Sequence, residues 1–177
     1  MNSDTLSLPP GYTHVQHTFE PVFDTHSRIL ILGSFPSVKS RENQFYYGHP
    51  QNRFWKLMAR LLNVPVPQSI DEKKTMLLTH GLALWDVIAS CDIKGSSDSS
   101  IKNAVPADIS RILKTADIHT IIANGGTAFK LYSRYCEPLT GRPAILCPST
   151  SPANAAFSLE RLAESWEPVI KPVISGF

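Results

Sequence analysis

Between Gln44 and Trp55 the chain reads Gln-Phe-Tyr-Tyr-Gly-His-Pro-Gln-Asn-Arg-Phe-Trp, a run that mixes aromatic rings with amides, an imidazole and a guanidinium. Flat rings give faces on which nucleobases stack, and an arginine among them gives phosphate contacts. An amide such as Asn52 both donates and accepts hydrogen bonds, so it can hold a water molecule beside a reacting carbon. The same residues also suit a plainer arrangement, with the rings packed in a core and Asn52 capping a helix. Three other places carry comparable chemistry. Ser34, in Gly33-Ser34-Phe35-Pro36-Ser37, lies where a nucleophile could sit, although the second glycine of a Gly-x-Ser-x-Gly elbow is missing. Asn124, before Gly125-Gly126, could read a donor and acceptor edge or simply shape a turn. Pro148-Ser149-Thr150-Ser151-Pro152-Ala153-Asn154 suits phosphate contact or a rigid connector. The chain holds no GxxxxGK[ST] phosphate loop, GxGxxG fingerprint or HExxH pair.

These residues need a frame. Arg28 to Gly33 is a short apolar run closed by glycine, which predicts a strand buried on both faces. Similar runs span 118–123, 144–147 and 82–88. From Asn52, the apolar residues Phe54, Leu57, Met58, Leu61 and Leu62 recur at helical spacing, ended by Asn63 and Pro65. Ser69 with Glu72 predicts a capping box for a helix to Thr79, Pro106 opens another helix, and 127–135 and 159–166 supply two more. Strands alternating with helices imply parallel pairing with right-handed crossovers. The predicted fold class is α/β, a three-layer α/β/α sandwich around a roughly four-stranded parallel sheet. Ligands bind at the carboxyl ends of the strands in such sheets, which would gather 33–52, Asp86, 124–126 and 147–154 at one edge.

A length of 177 residues fits one domain over 1–177, with 1–27 read as an N-terminal extension lying along it and 1–17 as its flexible part. At 42% hydrophobic the chain is too apolar for disorder, yet its apolar runs are far short of the ~20 residues of a membrane-spanning helix. Met1 to Pro10 shows no basic and apolar leader pattern, so no secretory signal is expected. Cys91, Cys136 and Cys147 have no CxxC spacing and read as reduced thiols, and the histidines show no ligand-like pairing beyond His14 and His17 in the N-terminal segment. No metal or other cofactor is therefore expected. A net charge of +2 is nearly uninformative as a total, but Arg28, Lys39, Arg41, Arg53, Lys56 and Arg60 stand against Glu42 alone between residues 28 and 60. That local excess suits a polyanion met on a single face.

Gly33–Ser37, the stretch Tyr46–Trp55, Gly81-Leu82-Ala83-Leu84-Trp85-Asp86-Val87, Asp98-Ser99-Ser100-Ile101 and Cys147–Asn154 occur in an order that resembles the uracil-DNA glycosylase superfamily, closest to its deoxyinosine (hypoxanthine) branch. The resemblance spans about residues 18–170 and implies the sandwich reached above. Two positions depart from the common pattern. Phe35 stands where many members place a water-activating Asp or Asn, and Cys147 where the best-studied uracil enzymes place a histidine. Both departures fit the deoxyinosine branch, whose catalytic asparagine lies further along and is matched here by Asn52.

The resemblance implies a monofunctional DNA-repair glycosylase that flips a deaminated base from the duplex and hydrolyses its N-glycosidic bond. Hypoxanthine from deoxyinosine is the expected substrate, with the Asn52 carbonyl accepting the attacking water. Phe35, Tyr47, Phe54, Asn124 and Ser34 are expected in the base pocket. Lys39, Arg53, Ser149, Thr150, Ser151 and Asn154 are expected on DNA, with His49, Asp86 and Ser99 in support. The expected partner is double-stranded DNA containing a damaged base, bound by a cytoplasmic monomer and with no membrane. A mismatch-directed uracil glycosylase, a non-catalytic nucleic-acid-binding domain and a hydrolase using Ser34 remain as other readings.

Overall fold

The computed structural model describes residues 7–175. The first strand, β1 (Thr13–Gln16), is followed by β2 (Ile29–Gly33), α1 (Val38–Asn43), α2 (Phe54–Leu62) and α3 (Ile70–Thr79). Then come β3 (Leu82–Asp86), β4 (Ile88–Ile93), a single 3-10 turn (Asp98–Ser100) and β5 (Lys102–Pro106). The chain ends with α4 (Ser110–Thr115), β6 (Thr120–Asn124), α5 (Gly126–Tyr135), α6 (Glu137–Thr140), β7 (Ile145–Cys147) and α7 (Leu159–Ile174).

β2, β3, β6 and β7 form one parallel sheet in the order β3-β2-β6-β7. Every residue of β2 is buried, because its alternate side chains enter cores on opposite faces. Ile29 and Ile31 meet Leu57, Met58, Leu77 and Trp166 of α2, α3 and α7 on one face. Leu30 and Leu32 meet Ile112 of α4, Tyr132 of α5 and Cys91 of β4 on the other. The predicted three layers and four parallel strands are therefore present. Register pairs Gly33 with Asp86 and Asn124 with Cys147, so the carboxyl ends of the strands finish at a common edge.

The run 82–88 behaves differently from the single strand predicted for it. It divides at Val87, and β4 leaves the parallel sheet to pair antiparallel with β1 and β5 in a second, three-stranded sheet. Val87 and Ile88 are fully buried and follow the buried Asp86, so burial continues through the break and no glycine or proline marks it. The second sheet also takes up the segment expected to be flexible: Thr13–Gln16 pairs with Ser90–Ile93, and Asp92 ties His14 of β1 to Asn103 of β5. Residues 1–6 lie outside the described part. Pro106 ends β5 opposite Ile88 instead of opening a helix. The last helix runs eight residues beyond Trp166, carried through Pro168 and Pro172 by the buried Ile170. In α3 the Ser69 hydroxyl accepts from Glu72 N, while the Glu72 carboxylate accepts from Gln68 N, one residue upstream of the expected reciprocal partner.

Candidate active site

A pocket of about 310 Å³ opens at the carboxyl ends of β2, β3 and β6. That volume is at the small end of ligand sites, suited to a base with part of its sugar. The pocket gathers Ser34, Phe35, Tyr47, His49, Asn52, Asp86, Asn124, Ser149 and Ser151 from the residues singled out in the sequence.

Asn52 sits two residues before α2, and its carbonyl oxygen has two protein donors. Phe54 N reaches Oδ1 at 2.9 Å, and the Thr150 hydroxyl reaches it at 2.9 Å from the opposite loop. An amide oxygen has two lone pairs, so this oxygen is committed, and the NH2 group is what Asn52 retains for a ligand. The expectation that the carbonyl receives the attacking water is corrected accordingly. Thr150 is fully buried, and its hydroxyl and N–H also engage both ends of the Asn124 amide at 3.0 Å each. It therefore joins two pocket amides rather than meeting a phosphate. One N–H and one lone pair of Asn124 remain uncommitted.

Tyr47 takes a left-handed backbone conformation with φ of 52° and stacks on Phe54 with ring centroids 4.2 Å apart. Phe54 is fully buried behind it, so Phe54 supports the pocket wall without forming it. The Tyr47 hydroxyl lies buried against the Asn124 amide, without a hydrogen bond of full geometry. Burial, reinforced by the Asp86 charge, pushes its pKa well above the usual tyrosine value and keeps it a donor.

Two carboxylates that no sequence motif pairs meet this pocket. Asp86, at the end of β3, accepts from His17 Nε2 through Oδ2 at 2.8 Å, with both side chains about 95% buried (4% and 5% exposed). The His17 ring is enclosed by Phe19, Phe35 and Tyr46. Gly33 faces the carboxylate across the register: a Cβ there would stand 2.4 Å from Asp86 Oδ1. Asp98, on the 3-10 turn beyond β4, accepts the Ser34 hydroxyl at 2.7 Å. The residue as a whole is exposed, yet its carboxyl turns inward, and desolvation raises its pKa, with the Asp86 charge adding to the rise and Ser34 opposing it. Ser34 thus donates directly to a carboxylate, with no imidazole among its described partners, which is unlike an activated serine nucleophile. Ser99 points away to Ser97, so Asp98 is the residue of this turn that lines the pocket.

Arg53 is the largest departure from expectation. Its guanidinium donates to the carbonyls of Phe157, Ser151 at 2.9 Å, Asn154 at 3.1 Å and Thr150 at 3.4 Å. With its donors spent on the loop that carries Thr150, it is a latch rather than a phosphate ligand. Asn154 turns inward too, donating to the Ser149 carbonyl at 3.0 Å. The Ser149 and Ser151 hydroxyls accept main-chain N–H groups and keep their own hydrogens at the pocket wall. His49 is exposed and accepts from Gln51 N at 3.1 Å. Lys39 is exposed on α1, 3.6 Å from Glu42. The basic run therefore does not share one face: Arg28 precedes β2 at the sheet edge away from the pocket, and Arg60 lies in the last turn of α2. His17 and Asp98 were not singled out from the sequence. His17 stands 69 residues from its partner, with no motif around it, whereas Asp98 adjoins the Ser99 that was selected.

Residues 20–169 match the uracil DNA glycosylase superfamily. Hypoxanthine DNA glycosylase of Methanosarcina acetivorans is 35% identical over 161 residues, covering 89% of this chain and 99% of the relative. The protein of the same description from Methanosarcina barkeri is 38% identical over 87 residues, covering 48% of this chain and 54% of that one. A solution NMR structure of a candidate uracil DNA glycosylase from M. acetivorans superposes with a TM-score of 0.75 at 33% identity, covering 88% of this chain and 96% of that one.

Proposed function

The chain belongs to the uracil DNA glycosylase superfamily, and from that membership we propose that it is a monofunctional DNA glycosylase releasing deaminated bases, hypoxanthine from deoxyinosine above all. The observation that carries the reading is the pocket itself: an amide held rigidly by Thr150 and the start of α2, facing a nucleoside-sized space at the sheet's carboxyl edge. The close relatives described as hypoxanthine DNA glycosylases support the choice of base.

On this reading the target nucleotide swings out of the duplex, at a cost of a few kcal/mol that a mispaired base lowers. Phe35 and the Tyr47 ring flank the base, and Asn124 contacts its edge. The C1′–N9 bond breaks with its electron pair leaving on the base, which takes up a proton, and water adds to C1′ to give an abasic sugar. Asn52 is the catalytic residue. Its NH2 group donates to the oxygen of that water, and because the amide oxygen is held by two donors the geometry is set before the reaction begins. Nearby carboxylates favour the positive charge that develops on the sugar.

DNA is approached from the pocket side. Ser149 and Ser151 donate to phosphates, Lys39 adds a screened charge, and the Arg53 latch keeps the loop in shape to enter the gap left by the base. The protein works as a monomer on double-stranded DNA without a cofactor. Its three buried, unpaired cysteines suit the reducing cytoplasm, and no helix among the described residues is long and apolar enough to cross a membrane.

The test is to incubate purified protein, in EDTA, with end-labelled duplexes carrying inosine, xanthine, uracil or no lesion, followed by alkali. Breaks at inosine that need alkali are expected. DNA binding without base release from any duplex would leave a non-catalytic domain as the reading.

A further inference from the structure

Asp86 presents an unusual half-used carboxylate. It is 4% exposed, lines the pocket, and has Oδ2 engaged by His17 Nε2 at 2.8 Å. Oδ1 has no hydrogen bond from a described residue, and it occupies the space above Gly33 that a Cβ would otherwise fill. That oxygen is reachable from the pocket, so it can accept a donor that a ligand brings. His17 fixes which oxygen is left over: its ring is wedged among Phe19, Phe35 and Tyr46 and cannot follow a rotation of Asp86.

The missing donor can be identified by its chemistry. Hypoxanthine carries N1–H, whereas adenine presents an N1 lone pair at the same place, and a lone pair set against a carboxylate oxygen is repelled. Resting on the glycosylase reading above, we propose that His17 is a positioning residue for base selection, holding Asp86 so that Oδ1 accepts the lactam N–H of the flipped base. The pair separates hypoxanthine from its parent adenine. Guanine shares the N–H, so other contacts must exclude it. The strand β1, which brings His17 over the pocket, thereby belongs to the specificity apparatus and is more than a cover.

The experiment measures binding, by fluorescence anisotropy, to duplexes carrying non-cleavable 2′-fluoro analogues of deoxyinosine or deoxynebularine, the latter lacking both the N1–H and the 6-oxo group, so that the dependence on His17 and Asp86 reads the N–H. The parent is expected to prefer the inosine analogue at least tenfold, in line with the discrimination of one well-made base contact. His17→Leu and Asp86→Ala should each reduce the preference to within about twofold, and His17→Gln, which keeps an N–H donor, should restore most of it. Should His17→Leu not fold, Asp86→Ala, which removes the acceptor, and His17→Gln, which keeps the donor, decide by the same ratio: loss in the first and retention in the second. A parent that binds both duplexes equally, or folded His17→Leu and Asp86→Ala variants that keep the parent's preference, would overturn the proposal. Release of hypoxanthine from ordinary inosine duplexes is scored separately. A His17-dependent preference without release would refute the glycosylase reading alone, and release without that dependence would refute the pair alone.

Discussion

Thr150 donates its hydroxyl to Asn52 Oδ1 at 2.9 Å, closing 98 residues of sequence into one contact across the pocket. The same hydroxyl accepts from Asn124 Nδ2 at 3.0 Å, so one buried side chain orients both pocket amides. Rigid orientation of this kind is how a weak polar group becomes catalytically useful, since no reorganisation is needed when charge develops.

Thr150→Val keeps the shape and removes the hydroxyl. It strands the Asn124 N–H and frees the Asn52 amide to rotate. Loss of a buried hydrogen bond costs ~1–3 kcal/mol, and each kcal/mol lowers Tm by ~2–4 °C at this chain length. Calorimetry should register that drop, and single-turnover base release should slow about tenfold or more, as small misplacements of reacting groups do.

Arg53→Lys replaces a planar fork by a single ammonium that cannot reach carbonyls spread from Thr150 to Phe157. Stability should fall by about 2 kcal/mol, the scale of hydrogen bonds to charged groups. The salt dependence of DNA binding should stay as in the parent. Lys39→Ala should do the reverse, leaving Tm unchanged and reducing the log–log salt slope by about one.

Gly33→Ala places a methyl group 2.4 Å from Asp86 Oδ1 and 3.1 Å from the Tyr47 hydroxyl. One of them must move, at the ~1–3 kcal/mol typical of overpacking. Base release should fall at least tenfold, more than the change in Tm alone would explain, and the paired kinetic and melting measurements check this.

The raised pKa of Asp98, caused first by desolvation and then by Asp86, gives stability a definite pH sign. The folded state holds this proton more tightly than the unfolded chain does. The contribution is therefore complete below the ordinary carboxylate range and is lost as pH rises through the higher folded value. Asp98→Asn removes that loss. Urea titrations should find the variant gaining on the parent as pH rises above the ordinary carboxylate range, by a small amount because the rest of the residue is open to solvent.

The sheet was legible because its signal is local. A run such as Ile29 to Gly33 can only be a strand covered on both sides, and the glycine and asparagine that end β2 and β6 mark the edge where ligands bind. The switch at Val87 was hidden because burial continues through it, so the second sheet had no period of its own to betray it. The site followed the same division. Asn52, Asn124, Tyr47 and Phe35 could be selected from type and position, and they line one pocket. The direction of Arg53 could not, since its partners lie about a hundred residues away and are main-chain carbonyls with no residue signature. The same holds for His17, whose meaning depends on Asp86 and on a strand pairing that aligns Thr13 with Ile93.

The most direct measurement is mass-spectrometric detection of free base from an inosine-containing duplex under single-turnover conditions, for the parent and for Asn52→Ala. The account predicts one equivalent of hypoxanthine per site and an unbroken strand bearing an abasic sugar, with release slowed at least a hundredfold in Asn52→Ala, as for loss of an oriented polar group. No hypoxanthine from the parent, or equal rates for the two proteins, would contradict it.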